Sequence, residues 1–186
     1  MDARAKVAAS GSGSVDLRYT ISRDLVEFGE LEGNKAMLPV PISKEDFERG
    51  LAPYPTLKLE SWSQKDSGTD RVVDARVSFT DLRSLATMLD PRGSLASYKA
   101  EGGRNTLSMS FGEQMTALDA ETESLAREAF TPYSMKLSLQ TPSPPIASVS
   151  AHAGVKSWIE GATARFESPM TVIALSPEPV VWTVTW

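Results

Sequence analysis

The side chains that most often do chemistry in proteins are scarce in this sequence. His152 is its single histidine, and cysteine is absent. These counts exclude a histidine-rich metal site, cysteine-ligated zinc, an iron–sulfur cluster and a thiolate nucleophile. His152 follows Ser148 and Ser150 on the polar side of a predicted strand, which favours an exposed structural histidine over a general base. The residues therefore predict no catalytic group, no metal site and no cofactor.

Acidic residues are the remaining route to hydrolysis, and their spacing does not match an acid–base dyad. Glu121 and Glu123 fall on different sides of a predicted helix. Asp66 and Asp70 occupy a polar turn, where carboxylates are ordinarily solvated. A hydrolase-like enzyme with a carboxylate-based, metal-free site is therefore the alternative function. It requires a cleft that gathers two carboxylates, or a carboxylate and an arginine.

Composition narrows the range of partners. Lysine plus arginine number 19 against 24 aspartate plus glutamate, and the basic residues are dispersed, so no nucleic-acid partner is expected. The segment Gly11-Ser12-Gly13 precedes a strand and not a helix, so it does not form a dinucleotide-binding loop. No apolar run approaches the roughly 18 residues of a membrane-spanning helix, and we expect no transmembrane segment.

Aromatic and methionine residues can line a groove or contact a membrane, and they can also fill a core. Trp182 and Trp186 alternate in phase with the valines of the last predicted strand, which favours packing. The same interpretation extends to Tyr133, Trp158, Phe166, Met109, Met115 and Met135. No ligand-binding residue is assigned by these patterns.

The spacing of apolar residues predicts many strands. Val15–Ile21 and Val73–Phe79 alternate apolar with polar residues, as half-buried strands do. The remaining predicted strands lie near residues 57–64, 95–100, 107–111, 133–139, 146–151, 162–166 and 180–186, with a further strand or hairpin within 22–40. Glycine-containing turns between several of them predict hairpins.

Local signals predict three helices and a helical turn. Ser43 and Asp46 form a capping box, with Ile42 and Phe47 as its hydrophobic staple, so a helix spans about residues 44–50. A second helix follows Thr80 and a third spans about residues 120–129. Their inner faces are predicted to carry Leu82, Leu85, Ala86 and Leu89, and Thr122, Leu125, Ala126 and Ala129. Ser168 and Pro169 offer N-cap and N1 residues for a short turn.

These elements predict an α+β fold. We expect a mostly antiparallel twisted sheet of roughly six to nine strands, packed on one face by two or three short helices. Residues 15–186 form a single domain in this interpretation. Residues 1–14 form a flexible leader, because small residues cannot bury enough apolar surface to order themselves. The leader is interpreted either as a frayed terminus or cloning remnant, or as the spacer of an envelope lipoprotein.

The order of elements resembles the bacterial envelope lipoproteins of the LppM type. The likeness rests on the small-residue leader, the opening strand at 15–21, the proline-flanked helix at 43–50, the hairpin that leads through 77–82 into a leucine-rich helix, and the terminal strand. It rests on no catalytic motif, and the lipobox cysteine is absent from this sequence. The resemblance implies a cell-envelope protein with no known enzymatic activity that contacts lipid or another envelope protein. It carries no functional residue over to this chain.

The predicted function is therefore a noncatalytic binding or structural module of the bacterial cell envelope. The predicted location is extracytoplasmic, on a tether, and the alternative is cytoplasmic. The predicted partners are lipid or an envelope protein. A module of this kind should expose an apolar patch or an apolar groove.

Overall fold

The computed structural model of this protein describes residues 1–23, 26, 41–89, 96–112 and 119–186. Within these ranges the chain forms eleven strands and four short helices. In chain order they are β1 (Asp2–Val7), β2 (Gly13–Ser22), α1 (Lys44–Leu51), β3 (Leu57–Ser67), β4 (Asp70–Phe79), α2 (Leu82–Leu89), β5 (Ser97–Glu101), β6 (Arg104–Phe111), α3 (Ala120–Phe130), β7 (Ser134–Gln140), β8 (Ala147–Val149), β9 (Lys156–Glu160), β10 (Thr163–Pro169), α4 (Met170–Leu175) and β11 (Val180–Thr185).

The strands divide into two sheets. The large sheet has the order β3-β4-β2-β1-β7-β10-β9, and the small sheet has the order β5-β6-β11-β8. Among the described pairs, β1 and β7 run parallel and the other neighbouring strands run antiparallel. The predicted α+β class with mostly antiparallel strands and short packed helices is confirmed. The single sheet is corrected to two, because apolar alternation identifies a buried face and not the strand that pairs beside it.

Strand β1 corrects the expectation of a flexible leader at residues 1–14. It lies between β2 and β7, with Ala5 opposite both Val15 and Leu139. Ala8 N–H donates a hydrogen bond to the carbonyl oxygen of Ser12 (2.8 Å), so the segment expected to be a tether is the turn of a β1–β2 hairpin. The small residues are ordered by the strands on either side of β1. The paired structure therefore begins with β1 and not at residue 15.

Helix α1 confirms the predicted capping box. Ser43 Oγ accepts a hydrogen bond from Asp46 N–H (3.1 Å), and Ser43 N–H donates to the Asp46 carboxylate (3.0 Å). Burial of Asp46 opposes its ionisation, but hydrogen bonds from Ser43 and Ile42 outweigh burial and hold the pKa of Asp46 below its usual value. The predicted staple residues Ile42 and Phe47 are both buried. The cap thus fixes the start of α1, which packs against β3.

The main core lies between the two sheets. Phe79 and Phe166 of the large sheet and Trp182 of the small sheet are each 1% exposed. The rings of Phe166 and Trp182 lie 5.4 Å apart between centroids, a favourable distance for an aromatic pair. Helix α2 packs against β5 and β6, and α4 packs against β10. The small sheet and these helices therefore bury one face of the large sheet and leave its other face outward.

The helices agree with the sequence where their side chains are described. The residues of α2 predicted to face inward and found buried are Leu82, Leu85 and Ala86. The predictions for the side chains of Leu89, Thr122, Leu125 and Ala129, for Met115 and for residues 27–40 lie outside the described residues. Pro169, not Ser168, occupies the N-cap of α4, and no side chain caps it. None of the helices in the described ranges combines the length and the hydropathy needed to cross a membrane.

Candidate functional site

The outward face of the large sheet carries rows of alternating charge. The strand register aligns one residue from each of the seven strands across the sheet. From β3 to β9 one row is Ser63, Asp74, Arg18, Asp2, Lys136, Glu167 and Lys156, and the next is Ser61, Arg76, Asp16, Arg4, Ser138, Arg165 and Trp158. Opposite charges on neighbouring strands attract, so this face is a solvated network of ion pairs.

A depression of 360 Å³ lies on this face. Its charged side chains pair as Arg4 with Asp2 (3.0 Å), Arg18 with Asp74 (3.5 Å) and Arg76 with Asp16 (3.4 Å). The depression thus places carboxylates beside arginines, as the alternative hydrolase function requires. All six side chains are at least 40% exposed, however, and lack the burial that tunes catalytic carboxylates.

His152 lies in the loop between β8 and β9 and is half-buried, so its predicted exposed position on a strand is wrong. Its Nδ1 lies 2.8 Å from the Ala153 carbonyl oxygen, and its Nε2 lies 2.9 Å from Ser176 Oγ. A serine and a histidine at this distance have the spacing of a nucleophile and its base. Ser176 is buried, however, and its hydroxyl donates to the carbonyl oxygen of Glu178 (2.6 Å). The pair therefore connects two loops.

The acidic pairs considered in the sequence do not form dyads. Arg71 Nε donates to Asp66 Oδ1 (2.8 Å), and this hydrogen bond holds the pKa of Asp66 below its usual value. Glu123 forms an ion pair with Arg127, one helical turn further along α3 (2.7 Å). Glu121 is exposed. In the described part of the chain, no three acidic or histidine side chains are placed to hold a metal ion. Asp66 and Glu123 are therefore each paired with an arginine of the same local segment.

Some of the residues that the sequence predicts to lie in the core are buried, and others are exposed. Buried as predicted are Met109, Met135, Phe166, Trp182 and Trp186. Trp158 and Tyr133 are 41% and 39% exposed, so the core prediction is wrong for both. Trp158 lies on the last strand of the large sheet, on the outward face beside Arg165. Its exposure follows from its place at the sheet edge.

Exposed apolar side chains are concentrated where the two sheets end. Among the described residues, four of the five exposed large hydrophobic side chains lie within residues 146–159. They are Ile146 (61% exposed), Val149 (56%), Trp158 (41%) and Ile159 (39%), and together they are called the 146–159 edge. They lie on or beside β8, which ends the small sheet, and β9, which ends the large sheet.

A pair of serines joins the two sheets at this edge. Ser148 Oγ of β8 lies 2.7 Å from Ser157 Oγ of β9, and Trp182 Nε1–H donates to Ser148 Oγ (3.0 Å). Ile146 lies two residues before Ser148, and Ile159 lies two residues after Ser157. Because side chains alternate between the two sides of a strand, each isoleucine lies on the same side of its strand as that serine. The junction therefore presents apolar side chains next to a fixed polar link, and it is the candidate contact surface.

The fold of this chain belongs to the mixed class in which short helices pack on mostly antiparallel sheets. No protein-family model matches the chain, and no curated protein matches it. Among solved structures it is similar to the folded domain of LppM from Mycobacterium tuberculosis, determined by NMR, with a TM-score of 0.51 and 12% identity over 99% of this chain and 86% of that one. The likeness confirms an LppM-like fold and, at this identity, shows the fold alone.

Proposed function

We propose that this chain is a noncatalytic binding or structural module of the bacterial cell envelope, and that it contacts lipid or another envelope protein through the 146–159 edge. The observation that carries the proposal is the concentration of exposed apolar side chains at that edge. The LppM-like fold and the resemblance in the order of elements support the envelope location. The exposed and paired charges of the depression support a noncatalytic role.

The physical reason for choosing this edge is the free energy of burying apolar surface. Apolar side chains that are exposed singly are ordinary, whereas a group of them indicates a contact site. Ile146 and Val149 are each more than half exposed, and Trp158 and Ile159 lie on the adjoining strand. A partner that covers Ile146 and Val149 displaces water from both at about 25 cal/mol per Å² of apolar surface. Covering the charged face releases less free energy, because its side chains already pair with each other.

Replacing both Ile146 and Val149 with serine is expected to weaken binding to envelope membranes by at least about tenfold. Each substitution removes apolar surface worth about 0.8 kcal/mol per buried methylene, and tenfold in affinity corresponds to about 1.4 kcal/mol. Co-flotation with vesicles of bacterial phospholipid measures the lipid contact. Photo-cross-linking from position 149 in envelope preparations measures a protein contact.

The matched control replaces Lys58 and Lys65 with serine. Both are exposed on β3, the opposite edge of the large sheet. This variant should bind as the wild type does. Unchanged binding by the Ile146→Ser/Val149→Ser variant, or a loss confined to the β3 control, would contradict the proposed surface.

A further inference from the structure

We propose that β9 pairs with β9 of a second copy of this chain, antiparallel and about a two-fold axis at Trp158, so that two large sheets become one continuous sheet. This proposal rests on the proposed function, because it names an occupant for the β9 part of the 146–159 edge. It follows from the backbone of β9, from the order of its side chains and from the nature of two other sheet edges.

One side of the β9 backbone has no strand partner in the part of the chain that the structure describes. Among the described strands, β9 pairs with β10 and ends the large sheet. The two strands join through a two-residue turn in which Gly161 has a φ of 59°, so Glu160 and Thr163 form its closing hydrogen-bonded pair. Along a strand, residues whose backbone N–H and C=O groups point toward one neighbouring strand alternate with residues whose groups point to the opposite side. The N–H and C=O groups of Ser157 and Ile159 therefore point away from β10.

The sequence of β9 is complementary to itself. In an antiparallel pair centred on Trp158, Lys156 of each copy lies opposite Glu160 of the other. Ser157 lies opposite Ile159, and these are the residues with outward backbone groups, so each such pair forms two hydrogen bonds. Trp158 faces Trp158 at a non-hydrogen-bonded position, where cross-strand side chains approach most closely and aromatic pairs stabilise a sheet.

Charge favours a second copy over an arbitrary strand. Opposite-charge pairs at both ends require a partner with a basic residue and an acidic residue four positions apart, and β9 itself has this spacing. Lys156 is exposed. Glu160 is 66% exposed while it accepts a hydrogen bond from Arg165 Nε (2.8 Å) through one carboxylate oxygen. Its other oxygen can accept from the lysine of the second copy.

Two other sheet edges carry features that oppose strand addition. β3 has the exposed charges Lys65 and Asp66, and its register is irregular between Leu59 and Ser61. β8 has three residues and follows Pro144 and Pro145. Charges, irregularities and prolines are the common means by which proteins block edge pairing. β9 also carries Lys156 and Glu160, but in the antiparallel pair each lies opposite a residue of the other sign.

Charge exchange tests the pairing. Sedimentation equilibrium of the wild type is expected to show a dimer. Lys156→Glu places two acidic residues opposite each other at both ends, and Glu160→Lys places two lysines there, so each variant should dimerise at least about tenfold more weakly. In an equimolar mixture of the two variants every end pair is again of opposite charge. The mixture should form heterodimers with the affinity of the wild type.

A cysteine cross-link gives a second measurement that does not involve the Glu160–Arg165 pair. The chain has no cysteine, so Trp158→Cys introduces a single thiol. At a non-hydrogen-bonded position the two Cα atoms lie about 4.5 Å apart, within the range of a disulfide. Mild oxidation should therefore link two copies. Gln64→Cys, exposed on β3, is the matched control and should stay monomeric.

The outcomes separate this proposal from the proposed function. A wild type that sediments as a monomer at every concentration, or a mixture of variants that does not associate, would overturn the pairing. If the wild type is monomeric while the serine variant of Ile146 and Val149 loses vesicle or envelope-protein binding, the proposed function stands and the dimer does not. If the dimer forms and no envelope contact is measured, the proposed function fails.

Discussion

Replacing Gly13 with alanine is expected to destabilise the protein by about 3 kcal/mol or more, because a Cβ atom has no space there. Gly13 begins β2 opposite Val7 of β1 and Phe79 of β4. An added methyl group overlaps the backbone carbonyl of Lys6 and lies 2.6 Å from Phe79 Cζ. That carbonyl is in the β1 backbone and cannot move without separating β1 from β2. Urea unfolding measures the change in the free energy of unfolding.

The matched control is Gly50→Ala. Gly50 lies in α1, and an added Cβ there has no other heavy atom within 4 Å. Alanine favours a helix over glycine by about 0.8–1 kcal/mol, so this variant should be as stable as the wild type or more stable. A Gly13→Ala variant that unfolds with the wild-type free energy would contradict the pairing of β1 with β2.

Replacing Trp182 with alanine is expected to lower the free energy of unfolding by about 3–5 kcal/mol. Trp182 is 1% exposed on β11, and its ring lies 5.4 Å from that of Phe166 in the other sheet. Its Nε1–H also donates to Ser148 Oγ (3.0 Å), the hydroxyl that meets Ser157. The substitution therefore removes core volume between the sheets and a hydrogen bond at their junction. Urea unfolding monitored by circular dichroism measures the loss.

Trp158→Ala is the control of the same residue type. Trp158 is 41% exposed, and its removal should change the free energy of unfolding by less than about 1 kcal/mol. The measurement is made at low protein concentration so that association between copies does not contribute. Equal losses for Trp158→Ala and Trp182→Ala would contradict the location of the core between the two sheets.

Much of the fold could be predicted from local sequence patterns. Val73, Val77 and Phe79 are buried because a strong period-two alternation determines which side of a strand faces the core. The cap of α1 depends on residues within one helical turn and was predicted for the same reason. β1 was missed because the inward residues Ala3 and Ala5 give little hydrophobic signal, and the strands on both sides hold it in the sheet.

The candidate site depends on contacts that no local pattern contains. Trp158 is exposed because β9 is the last strand of its sheet, which is a property of strand order. The two serines that join the sheets are nine residues apart, and His152 and Ser176 are 24 apart. Sequence periodicity assigns a side to each residue but does not say which loop or strand lies opposite it. The sequence therefore predicted an exposed apolar patch in general and did not locate it.

Hydrogen exchange mapped along the chain, with and without bacterial envelope membranes, tests the proposed contact surface most directly. We predict that the backbone amides of residues 146–149 exchange more slowly when membranes are present, because a bound partner covers Ile146 and Val149. Amides of β3 should exchange at unchanged rates. Slower exchange confined to β3 and β4, or no change anywhere in the chain, would contradict the assignment of the 146–159 edge as the contact surface.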